Sequence, residues 1–177
     1  MLGKKARIEI LLLIIALILL IAAFWIIFFS EGSESGKEES NIAADFELTT
    51  VNGQKIKLSD FKGKIVLIDF MATWCGPCKL QVGYLRQIWP KYKQKGVVFI
   101  SVDIDPRENL SILKNYAIQN NITWIIGSSP QAGTLYKVSA IPTIIIIDKT
   151  GKIRYKLVGT RTSEQLSSLL DDLLKEG

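Results

Sequence analysis

The chain has 177 residues, 22 basic against 17 acidic side chains and a net charge of +5, but no basic stripe with interleaved aromatics that would mark a nucleic-acid surface. It contains no histidine, which removes Ser–His and Cys–His catalysis and imidazole-ligated metal or haem. Any side-chain redox chemistry falls to its two cysteines, Cys75 and Cys78.

Lys4, Lys5 and Arg7 lead into Ile10–Phe29, twenty residues without a charge, long enough as a helix to cross the roughly 30 Å of a bilayer core. A cleaved signal peptide is the alternative. However, the run exceeds the usual apolar region and ends in the bulky Trp25, Ile26, Ile27, Phe28 and Phe29 rather than in small residues. The expectation is a single transmembrane signal-anchor over 10–29. Cations before it and Glu31, Glu34, Glu38 and Glu39 after it put residues 1–9 in the cytoplasm and everything beyond the span on the extracytoplasmic side. Disulfides form and persist in that compartment. Residues 30–41 read SEGSESGKEESN, a polar tether of about 20 Å typical reach. Residues 42–177 are enough for one domain with its own core.

Within that domain, Asp45–Thr50 and Gln54–Leu58 read as strands joined at Asn52-Gly53, a hairpin signal. Lys64–Met71 is a nearly continuous apolar run suited to a buried strand. It leads into Trp74-Cys75-Gly76-Pro77-Cys78-Lys79 and a helix with Leu80, Tyr84, Leu85, Ile88 and Trp89 on one side, which Pro90 is expected to kink or interrupt. A strand over Val97–Val102, a helix over Glu108–Gln119 and a short strand over Ile122–Ile126 follow. Strands Thr143–Ile147 and Ile153–Val158 flank a turn at 148–151, and Thr162 or Ser163 caps a last helix with a leucine stripe. The pattern predicts an α/β sandwich on a mixed sheet, with an N-terminal β-hairpin and a central helix–strand insert.

Two cysteines separated by two residues at a helix start form a dithiol suited to exchange. Unpaired backbone N–H groups and the helix dipole favour a thiolate at the leading position, so Cys75 is the candidate nucleophile and Cys78 the resolving thiol. A structural zinc site needs about four ligands and would have to be shared between chains or completed by carboxylates. A purely structural disulfide closing so short a loop removes little entropy from the unfolded chain.

Val66-Leu67-Ile68-Asp69-Phe70, Ala72-Thr73-Trp74-Cys75-Gly76-Pro77-Cys78-Lys79 and Ala140-Ile141-Pro142-Thr143 resemble, in that order, the thioredoxin superfamily. Ala44-Asp45-Phe46-Glu47-Leu48 with its hairpin and the insert around 108–126 look like the membrane-anchored TlpA/ResA-type branch. The resemblance implies a protein-disulfide oxidoreductase with no cofactor beyond the Cys75–Cys78 disulfide, whose clients meet Trp74, Gly76, Pro77, Ile141 and Pro142. It also implies a cis Ile141–Pro142 bond against the disulfide, the alternative being a trans proline at a strand start, and an integral-membrane thiol reductase as electron donor. Asp69 falls where the family keeps a buried aspartate behind the second cysteine, able to pass a proton during resolution; the alternative is a strand-end aspartate that reaches water. Departures from the family are Gln81 and Gly83, where many cytochrome-maturation members carry glutamate and proline, and Ser101, where thioredoxins place a basic residue. A thiol peroxidase would resemble Pro-x-x-x-Thr/Ser-x-x-Cys, but the matching positions are Ile68 and Ala72. A non-redox client-binding module is the remaining alternative.

Overall fold

The computed structural model describes residues 15–21, 24 and 41–176. The chain divides into two units, 1–40 and 41–177. In the first, residues 15–21 and 24 are helical, and among the described residues no helix is long and apolar enough to cross a membrane. The rest of the expected span over 10–29, and the expected tether up to residue 40, lie outside the described residues.

The second unit is built on one seven-stranded sheet in the order β2-β1-β5-β4-β3-β6-β7. The strands are β1 (Glu47–Thr50), β2 (Lys55–Lys57), β3 (Val66–Met71), β4 (Val98–Asp103), β5 (Ile125–Ser128), β6 (Thr143–Ile147) and β7 (Ile153–Val158). The helices are α1 (Gly76–Gln94), α2 (Leu110–Gln119), α3 (Pro130–Leu135) and α4 (Ser163–Lys175). Parallel β3–β4 and β4–β5 pairs sit at the centre, and the β1–β2 hairpin, β6 and β7 join antiparallel. This is the mixed α/β sandwich the sequence pattern predicts, with the expected N-terminal hairpin turning at Gly53, whose φ of 80° suits glycine.

All six residues of β3 are buried, so the strand must be covered on both faces. Val66, Ile68 and Phe70 pack with Phe46, Leu48, Ala132 and Tyr136 on one side. Strand alternation turns Leu67, Asp69 and Met71 to the other side, where Leu67 and Met71 join Cys78, Val82 and Leu85 of α1 with Leu166 and Leu170 of α4.

Several elements depart from expectation. Pro90 does not interrupt α1, which runs continuously to Gln94. The helix forgoes the bond that a residue-90 amide would give, yet tertiary anchors hold it on both sides. Trp89 lies 5.1 Å between ring centres from Phe99, and the Tyr92 hydroxyl donates to the Ser167 carbonyl at 2.9 Å. The strand expected over Ile122–Ile126 begins only at Ile125. Asn121 takes a left-handed φ of 52°, and the Ile122 amide folds back to the Ala117 carbonyl at 2.9 Å, so this stretch closes α2 instead of extending. Helix α2 begins later than expected because the Asn109 side chain accepts from the Ser111 and Ile112 amides as its N-cap. Short α3 has too few residues to show a helical period. The last helix is capped at Thr162, whose hydroxyl accepts from the Gln165 amide while the Gln165 side chain accepts from the Thr162 amide.

Gly127 is where the hairpin meets the central sheet. A Cβ there would lie within 2.4 Å of the Thr49 carbonyl oxygen and 2.8 Å of the Leu48 side chain. Gly127→Ala should therefore destabilise the domain by about 1–3 kcal/mol through overpacking at the β1–β5 seam, seen as a lower denaturation midpoint. An unchanged midpoint would mean that the seam yields freely.

Candidate active site

Strand β3 ends at Met71 and the chain enters α1 through a turn, Ala72–Cys75, closed by the Cys75 amide donating to the Ala72 carbonyl at 3.2 Å. Cys75 is the N-cap of α1, and its sulfur accepts from the Cys78 amide at 3.2 Å. Gly76 and Pro77 fill the first turn, where proline's missing N–H leaves nothing unsatisfied. The two cysteines are joined by a disulfide with their Cα atoms 5.2 Å apart. Cys75 retains slight exposure and Cys78 has none, at 5% and 0%, so a client approaching from solvent meets Cys75 first.

The Ile141–Pro142 peptide is cis, as the resemblance implied, and the Ile141 carbonyl oxygen lies 3.8 Å from the Cys75 sulfur. A disulfide sulfur carries no proton, so this is a packing contact; the reduced thiol would have an acceptor at hand. Trp74 is 64% exposed, and with Ile104, Arg107, Val138 and Ile141 it lines a groove of about 420 Å³ beside the disulfide.

Asp69 is fully buried, which excludes the reading of a strand-end aspartate reaching water. Its Oδ2 accepts from the Ser101 hydroxyl at 3.2 Å, and that hydroxyl accepts from the Trp124 indole N–H at 3.0 Å. Among the described residues its Oδ1 has no hydrogen-bond partner. Burial pushes the carboxyl up to about 7, against a smaller lowering by the Ser101 donor. Ser101, the departure from the family's basic residue, thus gives Asp69 a neutral hydrogen bond instead of a counter-charge. Gln81, another departure, is buried and spans α1 to the α4 approach: its Oε1 accepts from the Arg161 amide at 2.7 Å and its Nε2 donates to the Arg161 carbonyl at 3.2 Å. It serves as a cross-link within the domain.

The sequence reading passed over the segment between β4 and α2. Met71 and Asp103 are register partners at the carboxyl ends of β3 and β4, so residues just beyond Asp103 fall beside the Ala72–Cys75 turn. Asp105 accepts from the Trp74 indole N–H at 2.7 Å and is gripped by Arg107 through Nε at 2.9 Å and a terminal nitrogen at 2.6 Å. Arg107 holds the Asp105 carboxyl well below the usual carboxylate range. Glu108 accepts from both the amide and the hydroxyl of Thr73. Asp103 is buried and accepts from the Asp105 amide at 3.0 Å; burial first, with the nearby Glu108 and Asp105 charges adding to it, pushes its carboxyl up to about 7. The available signal was position: charged residues directly after a central parallel strand, at the sheet edge where α/β folds place their ligands.

Asp69 and Asp103 both bind protons more tightly in the folded chain than in the unfolded one. Between about pH 4 and pH 7 the folded state therefore holds more protons, and unfolding free energy falls as pH rises through that window, then levels off. Asp69→Asn removes its share of the slope and should stabilise the chain above about pH 7 by on the order of a few kcal/mol relative to the parent. Urea midpoints measured across the window check this, and an unchanged slope would contradict it.

Comparison with known proteins agrees with this geometry. Residues 40–156 match the AhpC/TSA family. The thiol-disulfide oxidoreductase ResA of Bacillus cereus is 36% identical over 177 residues, covering 96% of this chain and 98% of that protein. The protein of the same name from Bacillus thuringiensis subsp. konkukian is 39% identical over 142 residues, 79% of each chain. A Chlorobium tepidum crystal structure assigned as a thiol:disulfide interchange protein DsbE superposes with a TM-score of 0.70 at 31% identity, covering 77% of this chain and 98% of that one. With a dithiol pair at the start of a helix, a thioredoxin-like sheet beneath it and relatives of this kind along nearly its whole length, the chain belongs to the AhpC/TSA family of thioredoxin-like proteins and is a thiol–disulfide oxidoreductase.

Proposed function

We propose that this oxidoreductase is anchored through residues 10–29, works on the extracytoplasmic side of the cell membrane and reduces disulfides in protein clients. The observation that carries the reading is the asymmetry of the pair: Cys75 keeps slight exposure beside the Ile141 carbonyl, and Cys78 is fully buried. In the reduced enzyme the Cys75 thiolate attacks one sulfur of the client disulfide, forming a Cys75–client bond and releasing the other client sulfur as a thiolate, which takes up a proton. Cys78 then loses its proton and attacks the Cys75 sulfur, closing the Cys75–Cys78 disulfide and releasing the second client thiolate. Two electrons pass from the dithiol to the client.

Asp69 shares the α1-facing side of β3 with the layer that holds Cys78. A carboxyl poised at about 7 is matched to taking the Cys78 proton near neutral pH. Trp74, Gly76, Pro77, Ile141 and Pro142 form the surface a client meets, with the Ile141 backbone offering pairing to an extended segment. A reducing enzyme must be recharged, which calls for a dithiol donor; on the far side of a membrane this is an integral-membrane thiol reductase. The Gly-Pro pair between the cysteines, similar to that of reducing thioredoxins, supports the same direction. Peroxide reduction is disfavoured because Ile68 and Ala72 are buried apolar residues where a peroxidase would supply its loop proline and hydroxyl.

Cys78→Ser in the full chain, reduced and mixed with insulin as a disulfide-bearing probe, should accumulate a Cys75–insulin mixed disulfide that dithiothreitol releases. Cys75→Ser should give neither adduct nor turnover. Insulin reduction by the Cys75→Ser chain at the parent rate would refute the assignment.

A further inference from the structure

The Ala72–Cys75 turn presents a positioning problem. Its central residues, Thr73 and Trp74, belong neither to the β3 ladder nor to α1, yet they aim the sulfur that does the chemistry. The segment between β4 and α2 reaches across and holds both. Asp105 takes the Trp74 indole N–H, and Glu108 takes Thr73 with one carboxylate oxygen on the amide at 3.1 Å and the other on the hydroxyl at 2.5 Å. The holding segment is itself fixed. The Glu108 amide donates to the Asp105 carbonyl at 3.2 Å, the Ile104 amide to the Met71 carbonyl at 3.1 Å, and the Asp105 amide to buried Asp103.

We propose that Glu108 is a positioning residue for disulfide exchange: by clamping the backbone and side chain of Thr73 it fixes the turn that sets Cys75 at the N-cap of α1. Three features support it. The contact is bidentate, so it restrains orientation as well as distance. It joins residues 35 apart in sequence, tying together the segments that follow the carboxyl ends of two parallel strands. It is also electrostatically costly, since the Glu108 charge opposes that of buried Asp103 and helps push its carboxyl up; that makes geometry, not charge, the benefit of a glutamate here.

The last point separates the alternatives experimentally. Glutamine at 108 can keep both contacts, its carbonyl accepting from the Thr73 amide and its NH2 donating to the Thr73 hydroxyl, but without the charge. Alanine loses contacts and charge together. The full chain, reduced with dithiothreitol, would be tested as parent, Glu108→Gln and Glu108→Ala, with insulin as the client probe and iodoacetamide alkylation of Cys75 across pH as a client-independent readout. A misaligned nucleophile costs rate, so Glu108→Ala should lose about tenfold in kcat/KM while Glu108→Gln stays within about twofold of the parent. The midpoint of Cys75 alkylation should lie higher in Glu108→Ala than in Glu108→Gln, because a loosened turn weakens the Cys78 amide bond to the sulfur. If Glu108→Ala does not fold, Thr73→Val against Thr73→Ser carries the same test, with loss expected in the valine and rescue in the serine. Equal behaviour of Glu108→Ala and Glu108→Gln, or parent-like behaviour of Glu108→Ala, would overturn the clamp. The proposal rests on Cys75 as the nucleophile; failure of the parent chain to reduce insulin would count against the client assignment and leave the alkylation comparison to decide on Glu108.

Discussion

The Cys78 amide donates to the Cys75 sulfur, and through this bond the reactive cysteine doubles as the N-cap of α1. Serine, threonine, asparagine or aspartate would ordinarily occupy such a position; a sulfur there couples the helix's unsatisfied donors to the redox centre. Thiolate stabilises the helix start and the helix start stabilises thiolate, so local folding and reactivity rest on the same contact. The contact requires β3 to deliver the chain to a fixed point, and a strand buried on both faces provides that point. Apolar residues from α1, α4, α3 and the hairpin pack around it.

Against this apolar background the buried carboxylates stand out. Asp69 and Asp103 lie on neighbouring strands in the sheet's parallel centre, and each is pushed towards neutrality by burial. A domain selected for stability alone would replace such groups, because a buried unpaired polar atom costs free energy. In the proposed mechanism Asp69 is the proton acceptor for Cys78, its carboxyl raised to about 7 by burial. Asp103 anchors the segment that reaches over the nucleophile. Ser101 fits the same arrangement: a neutral hydroxyl donor leaves Asp69 easier to protonate than a basic neighbour would.

Sequence reading succeeded where the signal was local. Asn52-Gly53 marked the hairpin, the apolar run before Trp74 marked β3, and the leucine stripe behind Thr162 marked α4, because each of these elements is determined by turn chemistry, periodicity or a cap within a few residues. Buried Asp69 was legible as the single carboxylate in an apolar strand, and the placement of Ile141–Pro142 against the disulfide was legible only through family resemblance. Pro90 does not interrupt α1 because a local helix breaker is outweighed by the Trp89, Tyr92 and α4 contacts, which no window of sequence displays. The start of β5 was missed because Asn121 adopts a left-handed conformation that extends the end of α2. The grip of Asp105 and Glu108 on Trp74 and Thr73 was invisible for the same reason: it depends on β3 and β4 being parallel neighbours in a given register, a property of the assembled sheet.

The direction of electron flow is the central claim, and the reduction potential of the Cys75–Cys78 couple in the full chain addresses it most directly. Equilibration against defined thiol buffers, with the oxidised fraction quantified by alkylation, gives that number. A reductant recharged through the membrane predicts a value of about −250 mV or lower, whereas a value near −120 mV would identify an oxidant of protein thiols and contradict the account.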